Sequence, residues 1–447
     1  MTYQPPSQLP QILNSIEFEE ALSANDPRYV PTQAARGSQK TLDRLSKKFG
    51  LWLKDGQFFP PMQKHALFFG HTGSGKTTEL RRYALEFGKP GRFFVVEVNI
   101  HEQLDRNNLE FADTLMAMAR SLLKELSGIL EKRKLRLPND ALKALEDWFA
   151  ERVSSMDEVK DFALEAKTTA GADVGIPYLL KLSALFTTAF KSNVTYKESL
   201  RKVIRNSFTQ FAEAFNALLE QVEASLKAKG VAQRVLFIID GTDKLRGEDT
   251  RRFFVEDAEL LLAIDSLVIY TAPLVLKYEG NLTNKLDADV MLPMIKLFDA
   301  EGQRHEEGWK TLRDLLLKRA DRQVFESDIA IDRLVENSGG HPRELLRLLK
   351  LCCEFAEEDS IEEASVSLAI KQLASEYRRF FEPEDYQLLA KLDTNTVHAG
   401  NDERTRKLLY NLALLEYNDG SWRRSHPVIR TLEGYRIALV NLAGQVG

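Results

Sequence analysis

Apolar residues fall along this chain in two spacings. Short runs rich in β-branched and aromatic residues stand at His65–Phe69, Phe93–Val98, Arg234–Ile239, Leu267–Tyr270 and Val290–Leu292, the last stopped by Pro293. Their length predicts strands, and the third and fourth are apolar enough to be buried on both faces. Elsewhere the apolar positions recur at helical spacing. They do so from Thr77 to Glu86, across most of 105–230 with breaks near Leu137-Pro138-Asn139 and Thr169–Pro177, and from Gly308 to Ala374. Strands separated by helices predict a parallel α/β sheet. The stretch 105–230 is too long for a loop and reads as a helical insertion between strands. Towards the end, Leu415-Glu416-Tyr417, Asn418-Asp419-Gly420 and Ser421-Trp422-Arg423 carry a hairpin signal among short helices, the order of a winged-helix domain.

Four segments follow. Residues 1–60 read as an irregular arm ending in one amphipathic helix around Gln39–Phe49. Residues 61–300 form the α/β core with its insertion at 101–232, residues 301–375 a helical lid, and residues 376–447 the winged-helix-like domain. A chain of 447 residues exceeds what a single core usually supports, which agrees with this division. The net charge of −5 argues against wholesale coating of nucleic acid or an anionic membrane, and leaves a local basic patch open. The adjacent Cys352 and Cys353 in an apolar helix suit a reducing compartment and a structural role. The apolar stretch Ile176–Phe190 contains Lys181 and is too short to span a bilayer, so the expected location is the cytoplasm, with no membrane partner.

Candidate chemistry begins at Gly70-His71-Thr72-Gly73-Ser74-Gly75-Lys76-Thr77, a full match to G-x-x-x-x-G-K-[ST] between a strand and a helix. The glycines let backbone N–H groups point inward around a phosphate, and the following helix offers its N-terminus to the anion. Lys76 can reach the β- and γ-oxygens, the Thr77 hydroxyl can take one Mg²⁺ position, and Thr78 neighbours the α-phosphate. The strand 234–239 runs into Asp240-Gly241-Thr242-Asp243. An acid at the carboxyl edge of such a sheet can hold Mg²⁺ through water, so ATP and Mg²⁺ are the expected ligands.

The Asp240-Gly241-Thr242-Asp243 strand end resembles that of the STAND class of signalling NTPases, particularly its NACHT branch, and is similar to the broader AAA+ group. Where NACHT-like proteins commonly carry a Glu after the second Asp, Lys244 stands here. Where many AAA+ motors carry a catalytic Glu, the residue is Gly241, which leaves Asp243 as the carboxylate to orient the attacking water and implies slow hydrolysis. Thr271, at the end of the fourth strand, resembles a sensor-1 position. No Arg occurs between Thr271 and Asp299, so the family position for an arginine finger is vacant. Ser338-Gly339-Gly340-His341-Pro342-Arg343 resembles both the Gly-x-Pro lid element of STAND proteins, whose proline packs on adenine, and the GG-x-PR start of a sensor-2 helix, whose Arg meets the γ-phosphate. Ser425-His426-Pro427 is similar to a degenerate Met-His-Asp box, with a packing histidine as the plainer reading. Tyr29-Val30…Arg36-Gly37 sits where these families keep an adenine-pocket segment.

The resemblance implies an ATP-binding, slowly hydrolysing switch that acts through homo-oligomerisation or a separately encoded effector, in families often tied to bacterial antiviral defence. A DNA-associated AAA+ loader or initiator using the winged helix is the alternative. Arg423-Arg424 on the hairpin and the Lys197, Arg201, Arg205 row at i, i+4, i+8 are the basic features that could serve it, although a solvated charged face is the commoner reason for such a row.

Overall fold

A computed structural model describes residues 3–37, 40–100, 109–133, 194–245, 247–278, 286–395 and 400–445, together with positions 137, 142–145, 147, 148, 184 and 282. The strands are β1 (Lys64–Gly70), β2 (Phe93–Asn99), β3 (Arg234–Asp240), β4 (Leu267–Pro273) and β5 (Asp287–Met291), all parallel, in the order β2-β3-β4-β1-β5. This is the expected α/β P-loop sheet. The strands alternate across it, as a period of two requires. Ala66, Phe68, Leu236, Ile238, Leu267 and Ile269 share one core with Leu80, Tyr83 and Phe87 of the helix after the P-loop. Leu67, Phe69, Val235, Phe237, Ile239, Val268 and Tyr270 face the other way, into a core that includes Phe211, Phe215 and Leu218.

The fifth strand starts three residues before the expected run. Its Asp287 and Asp289 lie on the sheet margin, where Lys48 meets them at 2.9 Å and 2.7 Å and Lys64 meets Asp287 at 3.3 Å. Acidic residues on an edge strand hide its pattern from an apolar scan.

The helices used below are α1 (Leu9–Ser15), α2 (Gln33–Arg36), α3 (Thr41–Lys48), α4 (Lys76–Phe87), α5 (Phe111–Arg133), α6 (Val194–Asn206) and α7 (Phe208–Ala228). They continue with α8 (Glu306–Leu317), α9 (Asp328–Asn337), α10 (Pro342–Phe355), α11 (Glu363–Arg378), α12 (Pro383–Thr394), α13 (Glu403–Tyr410) and α14 (Glu433–Gln445). The described parts of the insertion are the helices α5, α6 and α7. The breaks expected near 138–139 and 169–177, and the apolar stretch 176–190 apart from Ala184, lie outside the described residues. Among the described residues no helix is long and apolar enough to cross a membrane.

Helices α8 to α11 make the lid. Its starts are written locally: Ser327 caps α9, and His341, followed by Pro342 at the first turn, caps α10. Beyond it, α12, α13, the hairpin β6 (Leu414–Tyr417)/β7 (Trp422–Ser425) and α14 give the winged-helix order. Tyr417 and Trp422 pair across the hairpin with rings stacked 4.1 Å apart, so its second strand sits one residue later than the sequence suggested.

The arm departs most from expectation. It is not irregular up to a single helix: α1 packs on α10 and α2 packs on α8, so residues 9–36 are laid along the lid. Cys352 and Cys353 are free and buried within α10.

Candidate functional site

At the carboxyl ends of the strands lies a polar cleft of about 450 Å³ lined by Thr72, Gly73, Gly75, Lys76, Thr77, Thr78, Asp240, Asp243 and Arg343, with Phe18–Ala21 of the arm across it. Parallel α/β sheets bind ligands in such a crevice. A narrower cavity of about 110 Å³ adjoins it, lined by Tyr29, Val30, Thr32, Arg36, Thr78, Leu315, Pro342 and Leu346.

Two P-loop glycines, Gly73 and Gly75, hold φ of 82° and 96°, which side chains rarely tolerate. At Gly73 space forbids a side chain too, since a Cβ would stand 2.7 Å from Arg343 Nε and 2.9 Å from His341 Cε1. The Lys76 ammonium is buried. It lies 2.7 Å from Asp243 Oδ2 and donates to the Gly70 and His71 carbonyls at 2.9 Å each. The Thr77 hydroxyl donates to both oxygens of Asp240, at 3.0 and 2.9 Å. Burial, and then the nearby Asp243 charge, push the Asp240 carboxyl above the usual carboxylate range. A cation beside Thr77 and Asp240 would relieve that, so the pair fits a Mg²⁺ site.

Thr271 stands one step behind the cleft. It is fully buried, accepts from the Gly241 N–H at 2.9 Å and donates to Asp243 Oδ1 at 3.4 Å. Its hydroxyl braces the Gly241–Asp243 turn, and it does not line the cleft. Strand order explains this: β4 runs between β1 and β3, so its end supports both motifs from behind.

Lid and winged domain both bond to the P-loop. His341 Nδ1 accepts from the Glu344 N–H at 3.2 Å, which leaves the ring proton on Nε2, and Nε2 donates to the Thr72 carbonyl at 2.9 Å. His71 Nε2 accepts from the Glu416 N–H of β6 at 2.9 Å. An amide N–H only donates, so His71 must be neutral to take it. Burial first, and then Lys76 and Arg423, hold His71 down at about 3. Gly340, φ 83°, sits where a Cβ would fall 1.9 Å from the Ile295 carbonyl, so this approach of the lid to the segment after β5 requires glycine.

Arg343 lies on the wall of both cavities, with Nη2 3.3 Å from Glu19 Oε1 and its buried Nε without a hydrogen-bond partner. Ser74 Oγ is likewise buried and unpartnered. Ser74 lines the narrower cavity, and Arg343 Nε is an unsatisfied donor of the kind a phosphate in the polar cleft would complete.

Three weaker readings find no support, and for His426 the plainer one, a packing histidine, fits the structure. His426 is buried, stacks on Tyr377 at 5.2 Å and lines neither cavity, so it packs and does not reach the phosphate site. Arg423 is buried on Glu416 at 2.8 Å, and Arg424 lies over the Trp422 ring, so the pair is not a free basic wing. The basic row on α6 is no patch either. Arg201 is buried against Asp113, at 2.5 Å, and Arg205 reaches Glu110 and Asp257, while the Lys197 side chain lies outside the described residues.

Sequence reasoning missed most of the arm's contribution. Arg36 is buried and donates to the Ser74 carbonyl at 2.6 Å, to the Pro293 carbonyl and, through Nε, to the Thr32 hydroxyl at 2.8 Å. Glu79 gathers Tyr29, Thr32 and Gln33 at 3.1, 3.0 and 3.1 Å. Beyond the loose placing of Tyr29 and Arg36 in an adenine-pocket segment, no local pattern marks these contacts, because Ser74, Glu79 and Pro293 lie more than thirty positions away.

No family model matches the chain, and no curated protein matches it. Among solved structures, Cdc6p from Pyrobaculum aerophilum is 13% identical with a TM-score of 0.38, over 94% of this chain and 98% of that one. A Walker-type ATPase of Pyrococcus abyssi is 14% identical with a TM-score of 0.40 (94% and 99%), and the Aeropyrum pernix ORC2 protein 12% identical with 0.36 (94% and 98%). Likenesses at this level decide neither fold nor activity. The assignment of fold rests on the strand order and the loop after β1.

Proposed function

We propose that this chain is an ATP-binding, slowly hydrolysing switch of the STAND/AAA+ kind, whose lid and winged domain change position with the nucleotide. The observation that carries the proposal is the double attachment to the P-loop: the lid through His341 and Thr72, the winged domain through Glu416 and His71. A loop that rearranges around phosphate would then move both domains, since each is hydrogen-bonded to it.

In this reading Gly70–Thr78 cradle the phosphates and Lys76 compensates their charge. Thr77 and Asp240 hold Mg²⁺, which would neutralise the β- and γ-oxygens. Asp243 orients water, Thr271 positions Asp243, Pro342 borders the base and Arg343 meets the terminal phosphate. The narrow cavity at Tyr29, Val30, Leu315, Pro342 and Leu346 supports the base position, being the apolar neighbour of the phosphate cleft. The outputs are a homo-oligomer or a separately encoded effector, and a bacterial defence role rests on the resemblance alone. The alternative, a DNA-associated AAA+ ATPase that uses the winged helix on duplex DNA, would have to do so without Arg423, which is buried on Glu416.

The test is calorimetric titration of ATP and ADP with Mg²⁺, followed by X-ray scattering and subunit counting in each state. Binding dependent on Lys76, with a different envelope or subunit number between ATP and ADP, is the expected result. Identical envelopes and subunit numbers would sink the switch.

A further inference from the structure

The phosphate cleft carries a cation that no motif accounts for. Lys244 follows Asp243 directly and lines the cleft beside Asp240 and Gly241. Its ammonium pairs with Glu19 Oε2, while Arg343 Nη2 stands 3.3 Å from Oε1 of the same carboxylate. Two cations, one from the strand end of the sheet and one from the lid, thus converge on a single carboxylate at the mouth of the cleft.

That carboxylate belongs to the arm, which is held across the cleft by its backbone. The Leu22 N–H donates to Thr78 Oγ1 at 3.2 Å, and Arg81 donates to the Ala21 carbonyl at 2.5 Å. Glu19 keeps 54% of its side-chain surface exposed, against 27% for Lys244 and 20% for Arg343. The anion is therefore the replaceable member of the trio. One carboxylate also compensates two cations incompletely, whereas a terminal phosphoryl group, carrying more charge and three acceptor oxygens, compensates both.

We propose that Lys244 and Arg343 form a clamp for the terminal phosphate of ATP, and that Glu19 occupies the clamp when that phosphate is absent. Lys244 then supplies from within the chain the positive charge for which the stretch from Thr271 to Asp299 offers no arginine. ADP leaves Glu19 in place, and ATP displaces it and frees the arm segment that crosses the cleft. The proposal rests on the ATP-site reading above.

The test is calorimetry of ADP and of a non-hydrolysable ATP analogue, both with Mg²⁺, on the full chain and on Lys244→Ala, Glu19→Gln and the double variant. Glu19→Gln should raise the ATP-over-ADP preference several-fold, because the competing charge is gone. Lys244→Ala should lower that preference about tenfold, and should do so equally in the Glu19→Gln background. If Lys244 serves only to anchor the arm, its replacement has no effect once Glu19 is neutral, and that result overturns the clamp. ADP affinity is the control for folding, and Lys244→Gln repeats the measurement if the alanine variant loses it. Failure of the underlying reading looks different: wild-type chain that binds neither nucleotide, or binding that survives Lys76→Ala.

Discussion

The floor of the cleft comes from two short stretches, Gly70–Thr78 and Arg234–Asp243, while its roof draws on residues 17–36, on Leu315 and Pro342–Leu346, and indirectly on the hairpin at Glu416. In the floor most key groups are placed by their own neighbours in sequence, and the long reaches join its two stretches, Thr77 to Asp240 and Lys76 to Asp243. The roof reaches the floor through long-range contacts, several of them single hydrogen bonds such as His341 to Thr72 and Leu22 to Thr78. One net hydrogen bond is worth about 1 kcal/mol. A floor built from contiguous backbone will survive most substitutions around it, whereas a roof held by isolated bonds can be rearranged by a ligand. That difference is what a switch needs.

The comparison breaks most severely at Lys76. Lys76→Ala removes the floor's cation and leaves Asp243 buried without its partner at 2.7 Å. Truncating one member of a buried pair costs about 3–5 kcal/mol of stability, and the lost charge-assisted phosphate contact, worth about 1.5–3 kcal/mol or more, should lower ATP affinity by at least roughly tenfold to a hundredfold. Unchanged affinity and hydrolysis by calorimetry and phosphate release would end the floor's role.

Asp243→Asn should separate turnover from binding. If the carboxylate orients water, turnover falls by about 10²-fold or more. Affinity should hold or rise, because Lys76 loses its internal counter-ion. Single-turnover hydrolysis checks the first and calorimetry the second, and equal turnover would remove Asp243 from the chemistry. Asp240→Asn should instead weaken Mg²⁺-dependent binding, since the amide lacks the charge.

At the roof, Arg343→Ala should reduce the ATP-over-ADP affinity ratio by roughly tenfold to a hundredfold while sparing ADP, as a charge-assisted contact of about 1.5–3 kcal/mol implies. An unchanged ratio in paired titrations would show that the lid reads the terminal phosphate by other means.

The smallest effect concerns acid. Burial is the first cause that holds both His71 and His426 down at about 3, with Arg430 and Arg347 adding to it at His426. The unfolded value is near 6.5. The stability these neutral rings carry is therefore complete above about pH 6.5 and is lost as pH falls towards 3, because the unfolded chain takes up the protons first. Each contributes a slope of about 1.4 kcal/mol per pH unit in that window. His426→Phe should flatten the fall in stability between pH 6.5 and 5 by one ring's worth, read by urea denaturation at each pH. A slope equal to wild type would show that His426 is not buried neutral.

How much of this was legible beforehand follows from the range of the interactions. The P-loop match, the acid after the third strand and the His341-Pro342 helix start could be read in the sequence because each depends on a few consecutive residues: glycines at positive φ, an apolar run ending in Asp, a cap followed by proline. The edge strand β5 was read too short because its acids answer lysines on other segments. Arg423 looked like a free wing cation because nothing local shows that Glu416 across the hairpin takes it and Tyr278 covers the pair.

By itself the sequence determined the α/β class, the glycine-rich loop after β1 and the acid that faces it, since local geometry and apolar period suffice for these. Only the tertiary structure decided which strand lies between the two motifs, and so turned Thr271 into a brace behind Asp243. It also brought Glu19, Lys244 and Arg343 together from three distant parts of the chain. The physical reason is that burial and charge pairing are properties of neighbours in space, and the roof's neighbours lie tens to hundreds of residues apart.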